Sequence, residues 1–205
     1  IDSNRNYLYS YNSLGYLESE TDSYKNISKT YEYDSLGNIT LRRTTNNDGT
    51  ITRDHLYYED TNNPYLLTKY NEKKLVYDVN NKLYPKYYGS IDDDGNLISG
   101  LEFGFDMNRL TSLKDNVSKL NITYKYDFNG YRIRKEIYDE ITCNTITHTY
   151  YYNNGKLVKE KIFHSGSDRT KYIYYKYDEA NLLIGLEYNG DMWYYLRDVT
   201  GEITA

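Results

Sequence analysis

Imidazole moves protons near neutral pH and ligates metals readily, so the three histidines are where chemistry would first be sought. His55, His148 and His164 stand in no HExxH or comparable metal-ligand spacing. In ITHTYYY, His148 alternates with Thr147 and Thr149 and shares a strand phase with Ile146 and Tyr150, which predicts a packed or edge histidine. His164 precedes a Gly-Ser turn in FHSGSD, and without a GxSxG context neither Ser165 nor Ser167 reads as a nucleophile. Asp92, Asp94 and Asn96 alternate like the start of a calcium loop. Gly95 comes too early for that loop, however, and Phe103 stands where its bidentate Glu belongs, so an acidic hairpin turn is expected. Glu59 and Asp60 are adjacent and point apart on a strand, which makes no acid/base dyad. Cys143 is the single cysteine; it allows neither an internal disulfide nor a zinc site and is expected to be a structural strand residue. The chain is therefore read as a non-enzyme without catalytic, cofactor-binding or metal-binding residues.

What the sequence does organise is a repeat. YEYDSLGNIT, Tyr31 to Thr40, has two aromatics spaced by one residue, an acidic or amide anchor, a short turn with Gly, and then aliphatics. The anchors of the clear copies fall at Asn12, Asp34, Asp106, Asp127, Asn153 and Asp178. Neighbouring clear copies thus lie roughly 21–26 residues apart, a period that signals an array of stacked units. Weaker copies surround Asp78, run from Asp92 to Gly95, and end the chain in WYYLRDVTGEI. The positions expected to carry the architecture are Tyr9, Tyr11 and Gly15; Tyr31, Tyr33, Asp34 and Gly37; and Phe103, Phe105 and Asp106. Tyr124, Tyr126, Asp127 and Gly130 continue the series, with Tyr150, Tyr152 and Gly155, then Tyr175, Tyr177 and Asp178, and finally Tyr195, Arg197, Asp198 and Gly201.

Strand geometry explains the unit. Residues i and i+2 face the same way, so Tyr31 and Tyr33 form an aromatic plate on one side. The short Asp34 side chain accepts from amides two residues on and starts a turn, and Gly37 supplies the positive φ that closes it. Ile39 and Leu41 are then expected to return together on one face of the second strand. Each copy reads as a β-hairpin, and since an isolated hairpin is marginal in water, neighbours must stack to hold it.

Composition agrees. Against 4 Phe and 1 Trp the chain has 29 Tyr, a residue that favours strands and keeps a hydroxyl for water or a partner. No apolar run is long enough to span a membrane. The net charge of −5, with Lys and Arg scattered, argues against a nucleic-acid partner. Arg42 with Arg43, and Arg132 with Arg134, are expected on a solvated strand face. No Pro-, Gly- or Ser-rich linker breaks the chain, which reads as one array over 1–205, with degenerate copies around 44–100 that include Pro64 and Pro85. Repeats running to both ends suggest a piece of a longer protein.

The YxYDxxGxI pattern and the terminal YYLRDVTGEI, Tyr194 to Ile203, resemble the YD repeats of the Rhs family, which includes wall-associated proteins, toxin-complex C components and teneurins. The resemblance covers nearly the whole chain. It implies an all-β fold of tandem hairpins in a continuous curled or spiral antiparallel sheet, part of a shell that encloses a C-terminal toxin in bacterial members. In many Rhs proteins the YYLRD-type segment leads into a core that cuts off the toxin with paired aspartates. This chain ends before that core, so no self-cleavage residue is assigned. The implied role is a shell segment that encapsulates or presents another polypeptide of a secreted or cell-surface parent, with the remaining repeats and the C-terminal domain as partners. The alternative is a cell-surface module that binds a glycan through exposed aromatics, although such arrays carry more Trp.

Overall fold

A computed structural model of the chain describes residues 6–78, 83–196 and 203. All regular structure among them is β, and the chain divides into two compact units, Ile1–Ile98 and Ser99–Ala205. The first holds β1 (Tyr7–Tyr11), β2 (Leu17–Asp22), β3 (Ile27–Tyr33), β4 (Ile39–Thr45), β5 (Ile51–Tyr57), β6 (Lys69–Tyr70), β7 (Lys73–Tyr77) and β8 (Pro85–Ile91). The second is built from β9 (Leu97–Asp106), β10 (Arg109–Asp115), β11 (Leu120–Tyr126), β12 (Arg132–Asp139), β13 (Asn144–Asn153), β14 (Lys156–His164), β15 (Arg169–Tyr177), β16 (Leu183–Tyr188) and β17 (Asp191–Tyr194). From β1 to β8, and again from β9 to β17, every strand pairs antiparallel with the next. The expected tandem-hairpin, all-β architecture is what the chain adopts.

Two turn types recur. Five-residue loops are led by Asn12, Asp34, Asn46, Asp92, Asp127 and Asp178. In each, the anchor N–H donates to the carbonyl four residues on, and the fourth loop residue donates back to the anchor carbonyl. That fourth residue has positive φ: Gly15, Gly37, Gly49, Gly95 and Gly130, with Asn181 doing the same in the sixth loop. The anchor side chain locks the loop, as Asp34 Oδ1 accepts from the amides of Leu36 and Asn38, both at 2.9 Å. Asn12 does the same with Leu14 and Tyr16 at 3.0 Å. The second type comprises four-residue turns whose last residues, Asn26, Lys119, Cys143 and Asp168, have positive φ. Three of them are anchored by a second set of aspartates, Asp22, Asp115 and Asp139, each accepting two turn amides.

Gly37 and Gly155 are held for a second reason. A Cβ on Gly37 would lie 2.6 Å from the Tyr16 hydroxyl, and one on Gly155 2.7 Å from that of Tyr131. Tyr16 and Tyr131 both close a five-residue loop, and each stacks on the plate of the following hairpin: Tyr16 on Tyr33 at 5.0 Å, Tyr131 on Tyr152 at 4.9 Å.

Several expectations change. Asp106 and Asn153 anchor no five-residue loop; they end their strands beside two-residue turns, Met107–Asn108 and Asn154–Gly155. In the second of these both central residues have positive φ, as a tight hairpin turn requires. Cys143 is an exposed turn residue and not a strand residue. Ile39 and Leu41 do not share a face, because Ile39 pairs with Tyr33 and Leu41 with Glu32, across a β-bulge at Thr40. The extra residue reverses the side-chain alternation, so Arg42 joins Ile39 on the plate face, and Leu41, 7% exposed, is enclosed on the other. Such a bulge falls just before the second plate ring in β1, β3, β7, β11, β13 and β15.

The anchors make the fold acid-sensitive. The Asn38 side chain and the turn amides hold the Asp34 carboxyl below its ordinary range, and the Asn96 amide and side chain do so for Asp92. Their folded pKa is lowered, so this contribution is complete above the unfolded value and is lost as pH falls through the lowered one, from about pH 4 downward. Replacing Asp34 by Asn, the residue that makes the same bonds at position 12, will keep the turn and reduce the acid slope. Melting temperature measured against pH checks this, and an unchanged acid limb would count against it.

Candidate functional site

The plate face carries more than aromatics. In four of the six clear copies the residue that pairs with the first ring is charged: Glu20 faces Tyr9, Arg42 faces Tyr31, Lys135 faces Tyr124 and Glu160 faces Tyr150, while Phe103 and Tyr175 face Leu113 and Leu186. Directly opposed side chains share a face, so these charges sit on the same face as the rings. Each also meets a residue of the next strand: Lys29 for Glu20, Asp54 for Arg42, His148 for Lys135 and Ile173 for Glu160.

In the first unit the charges find partners within this face. Lys29 pairs with Glu20, and Arg42 donates from Nε and from its terminal nitrogen to Asp54 Oδ2 at 2.9 and 2.7 Å. Burial, then the Glu20 carboxylate, push the Tyr31 hydroxyl up to about 12. The arginines thus divide. Arg43 and Arg134 make exposed ion pairs with Glu32 and Glu136, but Arg42 and Arg132 were expected on a solvated face and lie on the plate face. Arg132 stacks over Tyr124 at 4.3 Å, and its buried Nε has no hydrogen-bond partner.

Among the described residues Glu160 is the most enclosed charged group, 7% exposed. Its Oε1 lies 2.6 Å from His148 Nδ1, and Tyr175 donates to its Oε2 at 2.9 Å. Burial, reinforced by Glu160, raises the Tyr175 hydroxyl well above its ordinary value and takes Tyr150 to about 12. This cluster satisfies a buried carboxylate. His148 is packed against Tyr150 at 6.3 Å, and neither hydroxyl is ready to act as a base. The remaining sequence candidates are occupied or exposed. Ser165 Oγ accepts the Thr145 amide at 2.7 Å, Asp92 caps its own turn, and His55 is exposed. Among the described residues no three His, Cys, Asp or Glu side chains converge as a metal site.

A hydroxyl tie joins successive hairpins. Tyr33 donates to the Leu17 carbonyl at 2.6 Å, Tyr126 to Leu110 at 2.8 Å, Tyr152 to Arg132 at 3.0 Å and Tyr177 to Leu157 at 3.0 Å. In each case the ladder between the two hairpins ends two residues short of that carbonyl, at Ser19, Ser112, Arg134 and Lys159. Where the strands part, the phenol carries the join one bond further. This is the physical reason for Tyr at the second plate position; Phe105 has no hydroxyl to offer there. Arg197, Asp198 and Gly201 lie outside the described residues.

Sequence reasoning missed Glu160, the Asn46 loop and the second aspartate set. The Asn46 loop was signalled by Asp48-Gly49 in a stretch read as degenerate. Glu160 was signalled by standing five residues after Gly155, as Glu20 does after Gly15.

The fold and its face resemble those of YD-type repeats, and comparison with known proteins points the same way. No protein-family model matches the chain. Over 195 residues it is 26% identical to the tRNA3(Ser)-specific nuclease WapA of Bacillus spizizenii, a match that covers 95% of this chain and 7% of WapA. Crystal structures of TcdB2-TccC3 share the fold at TM-score 0.57 and 13% identity, over 96% of this chain and 12% of that one. The TcdB2-TccC3-Cdc42 structure gives 0.56 and 13% over the same shares, and the form without the hypervariable C-terminal region 0.54 and 14% over 86% and 10%. The chain therefore spans only a small part of each relative's length, and WapA's nuclease activity is a property of that whole protein.

Proposed function

We propose that the chain is a segment of a YD-repeat shell that encloses or presents another polypeptide of its parent protein, the C-terminal toxin of a secreted or cell-surface Rhs-type bacterial protein. The observation that carries this reading is the join between hairpins. Bulge, plate and hydroxyl tie recur at fixed positions, so residues are spent on attaching one hairpin to the next and not on a reactive centre. The recurrence supports one array across the chain, with the remaining repeats and the enclosed domain as partners, and this segment contributes no catalysis. The test is limited proteolysis of the parent protein. Its C-terminal domain should resist cleavage while the repeats are intact and become sensitive at the denaturant concentration that melts them. A C-terminal domain cleaved as fast in the intact protein as alone would overturn the enclosure.

A further inference from the structure

A concavity of about 490 Å³ opens on the plate face of the second unit, between β14 and β17. Ile162, Ile173 and Leu186 form its floor, and Tyr188, Trp193 and Tyr194 its sides. The register places the floor and Trp193 on one face: Ile173 pairs with Tyr188, and Leu186 with Trp193. Trp193 is 61% exposed and Tyr194 67%, as open as the Tyr9 and Tyr11 rings of the first unit. The far end is cationic. Lys171 stands over the Tyr188 ring at 5.6 Å, beside His164, and Arg169 pairs with His164. Among the described residues Lys171 has no carboxylate partner. Glu160, the carboxylate on the same face, is taken up by His148 and Tyr175, and no Asp, Glu, Asn or Gln lines the concavity.

We infer that this trough binds an extended polypeptide segment that sets apolar side chains on the Ile-Leu floor and an acidic one against Lys171. The inference rests on the shell reading and names the chemistry of what the shell face holds. Four strands spaced about 4.8 Å apart make a trough about 14 Å long, the reach of about four extended residues. Alternate side chains of such a segment point the same way and enter the trough together. A glycan fits less well, because a sugar ring stacked on Trp193 would leave its hydroxyls facing isoleucine and leucine, with no amide or carboxylate to receive them.

Trp193 is the one tryptophan of the chain, so its fluorescence reports the trough directly. The 205-residue chain is titrated with the acetylated, amidated peptide Phe-Ser-Leu-Ser-Glu, with the same peptide carrying Lys in place of Glu, and with a chitin oligosaccharide. The acidic peptide should give a saturable blue shift, and the basic one should bind roughly fivefold more weakly or worse. Lys171→Glu should reverse that preference with an unchanged circular dichroism spectrum; should it not fold, Lys171→Gln should abolish the preference. No saturable shift, equal binding of both peptides, or saturable binding of the oligosaccharide alone would overturn the inference. Those outcomes leave protection of the parent's C-terminal domain untouched, whereas loss of that protection overturns enclosure whatever the peptides do.

Discussion

Replacing Tyr124 and Tyr126 together by alanine will destabilise the second unit by roughly 3–5 kcal/mol, while the same change at Tyr9 and Tyr11 will cost about 1 kcal/mol or less. The difference follows from what each plate touches. Tyr126 is tied to the Leu110 carbonyl, and Arg132 stacks on Tyr124 at 4.3 Å. Truncating both rings strips the cover from a guanidinium whose Nε already lacks a partner. Tyr9 and Tyr11 are 54% and 62% exposed, so their loss removes little buried area. Because stability in an array is a sum of units and interfaces, the effect must be read locally. Hydrogen exchange should show residues 120–137 losing protection in the Tyr124/Tyr126 variant, and residues 7–20 exchanging faster than 120–137 in the wild type. Equal losses in the two variants, with uniform protection from end to end, would mean a single cooperative core.

The second large effect concerns Glu160. His148→Ala leaves a carboxylate almost out of water with only the Tyr175 hydroxyl, and leaving a buried acceptor without its hydrogen-bond partner costs about 1–3 kcal/mol, the upper end applying to a carboxylate. Replacing both members, His148→Leu with Glu160→Met, should restore most of that loss, because an apolar pair of similar volume carries no desolvation penalty. Denaturant midpoints of the two single variants and the double variant decide the matter. A double variant worse than either single one would show that the pair acts through something other than its mutual hydrogen bond.

Much of the fold was legible because it is written in turn chemistry. Asp34, Asp127 and Asp178 each lead a loop whose amides they accept, and Gly15, Gly37 and Gly130 take the positive φ that the spacing required. Parity was not legible. A bulge adds one residue without changing composition, so nothing in Asn-Ile-Thr-Leu-Arg says that Arg42 and not Leu41 will share a face with Ile39. The polar content of the plate face was hidden for that reason. Lys135 and Glu160 both follow a bulge, and counting alternation from the turn assigns them to the wrong side. The four-residue turns escaped because Asp22, Asp115 and Asp139 follow no paired aromatics, and Cys143 occupies a left-handed position that glycine or asparagine usually marks.

The hydroxyl ties have a direction. Tyr33 reaches back 16 residues to Leu17 and Tyr126 16 to Leu110, while Tyr152 and Tyr177 each reach back 20. In all four the acceptor is made before the donor. A polypeptide emerging from the ribosome therefore completes each docking carbonyl before the ring that needs it exists, and it folds from its N-terminal side as domains do during synthesis. Every contact of this kind is short in sequence, so none waits on a distant segment. The array is laid down course by course in the order of translation, each hairpin seated on one already finished.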